Sequence, residues 1–329
     1  MTAEDYAKRA FQWGKALKLL DPSICLILCG ETGHSSWDHK VLNHCIQVAD
    51  MHSIHIYTSG KEHLSNVTAP LSAERAIETA SALIDIARIE KNIPSSTPPT
   101  RICFDEWNVW DPSRAPGEQG AEELYTLSDA LGVAVWLNVF VRQSKWVGMA
   151  NIAQSVNVIS PLMTSKNGVT KQATWWPLLL FSKYMRGWTV GVHVRAGAYD
   201  GATEPAWLQG VLEQGASWLD VSASVNEDGV VSLVVVNINE TTDFEVDLVG
   251  VGKKEVEVFT VTGKDVKAVN VEGKEEVGVK ESKWDGQGKY RFLKHSMTLL
   301  RWGTGKKITE VVKGEGLRLD TRKMAWSGE

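Results

Sequence analysis

The chain has 329 residues, 43% hydrophobic and 23% charged, with a net charge of −5. This is ordinary globular composition and excludes a disordered or fibrous chain. The slight acidic excess leaves no electrostatic footprint for nucleic acid or an anionic membrane surface, and there is no run of about 18 apolar residues to span a bilayer. The length suggests two domains at roughly 150 residues each.

Residues 3–20 set Ala7, Ala10, Phe11, Gly14 and Leu17 on one helical face and stop at Asp21-Pro22. Glu4, Asp5, Lys8, Arg9, Lys15 and Lys18 within this stretch are unlike a signal peptide. The apolar run 24–29 reads as a buried strand, with Cys25 and Cys29 as packing residues on one face. A helical stretch at 39–49 leads to a second strand at 52–57, and Ser72 is placed to cap a helix over 73–91. After a Pro- and Ser-rich loop at 94–100 come a strand at 101–106, a helix at 121–141, a strand at 147–152 and a helix at 171–186. One helix followed by four strand–helix pairs is the pattern of a parallel sheet.

Near residue 188 the pattern changes to short strands and turns. Val231 to Ile238 is almost continuously apolar, Phe244, Val246 and Leu248 alternate with charged partners, and Asn226-Glu227-Asp228-Gly229 and Asp285-Gly286-Gln287-Gly288 supply turns. The expected division is an α/β unit over 1–187 and an antiparallel sandwich over 188–329, with 303–329 as a loose polar tail.

The strongest chemical signal is Phe104-Asp105-Glu106-Trp107-Asn108-Val109-Trp110, an apolar strand ending in two carboxylates flanked by indoles. In parallel α/β layouts the C-terminal strand ends form the active face. A carboxylate there can act as nucleophile or acid/base, and tryptophan can stack on a sugar. The plainer alternative is a loop cap or an ion pair. His55 and Tyr57 stand two apart near a strand end and so share a face. Six of the eight histidines fall between residues 34 and 63, but without HxxxH or HExxH spacing they are expected to be neutral and hydrogen-bonded, and no metal or cofactor is expected. Gly30-Glu31-Thr32-Gly33 has too few glycines for a nucleotide loop; Glu31 could be a second carboxylate, or simply solvated. Gln154, just past the fourth strand, could bond a hydroxyl or merely satisfy backbone. The fourteen tryptophans read either as core anchors or as a sugar platform. Four cysteines without a CxxC pair suggest no disulfide framework.

The segment 104–110, with Ser53 to Tyr57 and Ile152 to Ile159, is similar to the α-L-arabinofuranosidases of glycoside hydrolase family fifty-one. The resemblance runs from about residue 4 to about residue 302 and is strongest over 101–111. It implies an α/β barrel, here the second half of a (β/α)8 TIM barrel, followed by an all-β sandwich. It also implies removal of terminal non-reducing α-L-arabinofuranosyl residues with retention. Glu106 falls on the family's nucleophile, His55 and Tyr57 on residues lining the sugar site, and Gln154 on a hydroxyl contact; Trp107 beside the nucleophile is expected to touch substrate. The family's acid/base glutamate lies in an Asn-Glu pair ending the fourth barrel strand. Here the Asn-Glu pairs are Asn226-Glu227 and Asn239-Glu240, both in the sandwich segment, so the acid/base is expected to be absent and the chain truncated.

Half a barrel would leave strands 24–29 and 147–152 with open edges that invite aggregation or pairing with another chain. The expected substrate is arabinan, arabinoxylan or an arabino-oligosaccharide, with neither nucleic acid nor membrane as partner and a homo-oligomer left open. The rival expectation is a non-catalytic carbohydrate-binding protein. Localisation is left open: the cysteine spacing leans towards the cytoplasm, while an N-terminal half could have carried a signal peptide.

Overall fold

The computed structural model describes residues 1–111 and 121–308; most of the expected polar tail, 309–329, lies outside the described residues. The chain folds as two compact units. The first consists of Met1–Tyr57, Ser72–Trp107 and Gln143–Ala153; the second of Thr58–Leu71, Asn108–Arg142 and Gln154–Glu329.

In the first unit, helix α1 (Ala3–Leu20) starts at Thr2, whose side chain accepts from the Asp5 N–H, with Glu4 and Asp5 in the first turn and Lys18 in the last. Each charge complements the helix dipole. Lys18 then ties the helix end to Asp50 at 2.6 Å. The expected apolar face is only partly used. Ala7 and Gly14 are buried, and a Cβ on Gly14 would sit 3.1 Å from Val48, so this crossing needs a small residue. Leu17, Trp13, Leu19 and Leu20 are exposed instead. Of these, Trp13 and Leu17 line an open groove of about 430 Å³ between α1 and strand β1.

Strand β1 (Ile27–Leu28) is much shorter than the run 24–29. It is the edge strand of a four-stranded sheet of order β1-β2-β3-β4, with β2 Met51–Thr58, β3 Arg101–Val109 and β4 Val147–Ile152. β1 pairs parallel with β2, and β3 with β4. An edge strand has one neighbour, so Cys25 and Cys29 are exposed rather than packed. Helix α2 (Ser36–Cys45) begins earlier than expected because Ser35 and Asp38 form a reciprocal capping box.

The crossover from β2 to β3 holds two helices where one was expected, α3 (His63–Thr68) and α4 (Leu71–Glu90). Because α4 starts immediately after α3, Ser72 lies inside the helix and does not cap it.

In the second unit, α5 (Leu127–Arg142) starts at the Thr126–Asp129 box rather than at residue 121: the Thr126 N–H and hydroxyl donate to Asp129 Oδ2 at 2.8 Å, and the Asp129 N–H donates back at 3.3 Å. Hairpin β5 (Leu162–Ser165) and β6 (Gly168–Lys171) precedes α6 (Trp175–Tyr184); its largely exposed strands carry no alternation to read from sequence. Beyond β7 (Trp188–Val190) and the short pair β8 (Ala198–Tyr199) and β9 (Ala216–Ser217) come β10 (Leu219–Val225), β11 (Val230–Asn237), β12 (Phe244–Asp247) and β13 (Val256–Thr262). β14 (Asn270–Val271) pairs with β15 (Lys274–Glu275), and β16 (Gly278–Trp284), β17 (Lys289–Phe292) and β18 (Ser296–Gly303) are the last strands among the described residues.

A six-stranded antiparallel sheet, β16-β13-β18-β11-β10-β7, forms the body of this unit. Alternate residues of its central strands enter separate cores. Val234, Val236, Phe259, Val261 and Leu299 pack with Leu131, Ala134 and Val135 of α5 and Leu180 and Phe181 of α6. Leu233, Val235, Val256, Val258 and Leu300 pack with Phe292, Phe244 and Val246 of the β12–β17 pair. With both faces covered, the central strand has no solvent-facing side, which explains the nearly continuous apolar run at 231–238.

Candidate active site

β2 and β3 carry the chemistry-bearing side chains near their C-terminal ends. Period-two alternation puts Ser53, His55 and Tyr57 on one face of β2. On β3 the same alternation would send Asp105 and Glu106 to opposite faces, yet both reach the His55 ring. The register explains this. Phe104 pairs with Ala150 and Trp107 with Ile152, so three steps on β3 match two on β4. Arg101 donates its N–H to Asp50 O and Trp110 to Thr58 O, so β3 also takes nine steps against eight on β2. One extra residue is accommodated as a β-bulge at 105–106, which re-aims a side chain.

The Tyr57 hydroxyl donates to Glu106 Oε2 at 2.9 Å, and His55 Nδ1 lies 3.8 Å from the same oxygen. His55 Nε2 is 3.1 Å from Asp105 Oδ1, which also accepts from the Ser53 hydroxyl at 2.6 Å. Glu106 is the more open carboxylate, its side chain 49% exposed against 31% for Asp105. Burial, together with the hydrogen bond to Glu106 and its charge, pushes the Tyr57 phenol up to about 12, so it remains a proton donor across the physiological range. The arrangement can therefore hold one solvent-accessible carboxylate, oriented by a phenol and flanked by an imidazole that a second carboxylate orients in turn.

Of the residues singled out from sequence, His55, Tyr57 and Glu106 are brought together. Trp107 is buried at 2% exposure, with its carbonyl accepting the Ala153 N–H, and offers no open indole face. Gln154 is exposed in the second unit, and its N–H donates to Ile159 O at 3.3 Å. Asp105 and Ser53 complete the group. As a lone serine in a strand, Ser53 carries no signal of its own in the sequence; its spacing of two from His55 is the available cue. The Glu31 side chain is exposed, while its carbonyl accepts the His55 N–H at 2.9 Å.

Residues 105–296, which begin within this carboxylate pair, match the family described as the alpha-L-arabinofuranosidase C-terminal domain. The chain belongs to that family. It is 61% identical over 314 residues to a probable alpha-L-arabinofuranosidase C of Aspergillus flavus, and 59% identical over 313 residues to alpha-L-arabinofuranosidase C of Emericella nidulans. Both alignments cover 92% of this chain and 62% of the relative, so the chain spans less than two thirds of the curated relatives it matches. Among solved structures, the alpha-L-arabinofuranosidase of Thermotoga maritima in an arabinose complex superposes with a TM-score of 0.80 at 26% identity, covering 92% of this chain and 62% of that one. The GH51 enzyme of Thermotoga petrophila gives the same values. The fold is that of the C-terminal part of these family 51 proteins, parallel α/β barrel strands followed by a β-sandwich.

Proposed function

We propose that this chain carries the nucleophile side of a retaining glycoside hydrolase that removes terminal non-reducing α-L-arabinofuranosyl residues from arabinan, arabinoxylan or arabino-oligosaccharides. The observation that carries the reading is the hydrogen bond from Tyr57 to the open carboxylate of Glu106 at the end of a parallel strand. Residues 1–187 supply the barrel portion and 188–329 the sandwich. Of the residues expected on the substrate side, His55, beside the Glu106 carboxylate, keeps that assignment.

In this mechanism Glu106 attacks the anomeric carbon, the bond to the leaving oxygen breaks, and a glycosyl-enzyme forms. Tyr57 holds one carboxylate oxygen in place, leaving the other to attack. A second carboxyl about 5–5.5 Å away protonates the leaving oxygen and then activates water. Asp105 is committed to Ser53 and His55, so the reading does not give it that role. Carboxylates do all the chemistry, and no cofactor enters it.

A substrate whose leaving group needs no proton tests the nucleophile directly. With 2,4-dinitrophenyl α-L-arabinofuranoside, the chain should release one equivalent of dinitrophenolate and gain the mass of one anhydropentosyl unit on Glu106. Hydrolysis of a poorly activated aryl arabinofuranoside should be undetectable. A label that survives Glu106→Gln would sink the assignment of Glu106, and the absence of any label would favour the non-catalytic carbohydrate-binding reading.

A further inference from the structure

Asp38 and His52 form a buried pair, Nε2 to Oδ1 at 2.8 Å with neither side chain exposed, that the chemistry above does not use. Asp38 accepts far more than a helix cap requires. Its Oδ1 also takes the Glu31 N–H at 2.8 Å, and its Oδ2 takes the Gly33 N–H at 2.8 Å, the Ser35 N–H at 3.0 Å and the Ser35 hydroxyl at 2.8 Å. The turn 30–35 is therefore wound around one carboxylate. Burial pushes that carboxyl up, but the bonds from His52, Glu31 and Ser35 outweigh it and bring it down to about 2, so the anion is permanent at physiological pH.

The same turn is pressed onto β2. A Cβ on Gly30 would lie 2.0 Å from Ser53 O and 2.6 Å from His52 Nε2, so only glycine fits. Gly33 has φ +84°, and a Cβ there would meet Ile54 Cδ1 at 2.7 Å. The Glu31 carbonyl takes the His55 N–H at 2.9 Å and so extends the pairing of β2 beyond the end of β1. His52 sits on one face of β2, with Ser53 and His55 on the other.

We propose that Asp38 is a positioning residue for the Glu106 site: it fixes the 30–35 turn, through the turn the backbone at His55, and hence the seat of the His55 ring between Asp105 and Glu106. This rests on the reading of that cluster as the reactive site, but its test does not need turnover.

The test is amide hydrogen exchange and histidine-ring 15N NMR on the full chain. In Asp38→Asn the His55 amide should exchange about tenfold faster and the His55 ring resonances should move, while the Val41 and Phe104 amides keep wild-type protection. His52→Gln can donate to Asp38 from the same place and should behave as wild type; His52→Leu should behave as Asp38→Asn. A purely structural packing role predicts the reverse order, because leucine fills a buried space without a polar atom. An unchanged His55 amide and ring in folded Asp38→Asn overturns the proposal. If that variant does not fold, equal behaviour of the two His52 variants overturns it. Dinitrophenyl arabinofuranoside labelling of wild type separates the two ideas. No label together with the His55 response removes the nucleophile reading and leaves the positioning role; a label without the response does the opposite.

Discussion

The Tyr57 hydroxyl and the Glu106 carboxylate meet at 2.9 Å across neighbouring parallel strands, and the phenol keeps its proton to about pH 12. The bond is strongest while Glu106 is an anion, so it orients the nucleophile before attack. Tyr57→Phe should slow labelling by the dinitrophenyl substrate about 10- to 100-fold with little change in stability, since Tyr57 is only half-buried. A time course of covalent labelling by intact mass checks this; an unchanged rate would remove Tyr57 from the mechanism.

Gly30 has no room for a methyl group, and the atom in the way is the backbone oxygen of Ser53, which cannot swing aside. Gly30→Ala is expected to cost about 3 kcal/mol in urea denaturation. Gly278, where a Cβ would meet nothing within 4 Å, serves as the control, and Gly278→Ala should be close to neutral.

His63 is buried in the second unit, with Nδ1 accepting from the Ser128 hydroxyl at 2.9 Å and Nε2 donating to Ile238 O at 3.0 Å. Burial holds its imidazole below the usual value of 6.5. A base whose folded pKa is depressed contributes stability that is complete above its unfolded pKa and is lost as pH falls towards the folded one. Unfolding free energy should therefore decline from about pH 6.5 downwards, and His63→Leu should flatten that slope. Denaturation midpoints measured at pH 5 to 8 decide it.

The C-terminal turn of α1 exposes Leu19 and Leu20, both 85% accessible, on the helix that borders the groove against the edge strand β1. Such surfaces promote association. Leu19→Lys combined with Leu20→Lys should lower the light-scattering mass of concentrated protein and leave its circular dichroism unchanged.

How much of this was legible depended on whether the cause was local. Helix 3–20 was, because its cap and its stop are both in the sequence, and strand 147–152 was read to the residue. The carboxylate pair at 105–106 stood out by composition. Its geometry did not, because a bulge exists only in the step count against neighbouring strands. The buried Asp38–His52 pair was hidden because its partners lie on different elements, and Ser72 was misread because a preceding short helix changed which residue came first. The run 231–238 was visible, but that its two faces enter different cores follows only from what covers each side.

Helices α5 and α6 share one apolar core with the sandwich sheet. Polar contacts reinforce the join: Asn138 and Arg142 reach Asp220 at 2.7 and 3.1 Å, and the Trp176 indole donates to Val277 O at 2.9 Å. A gene trimmed to begin at residue 188 would thus express a sheet stripped of one cover, with Val234, Phe259 and Leu299 facing water. Anyone wishing to graft or crystallise the sandwich by itself should take α5 and α6 along with it.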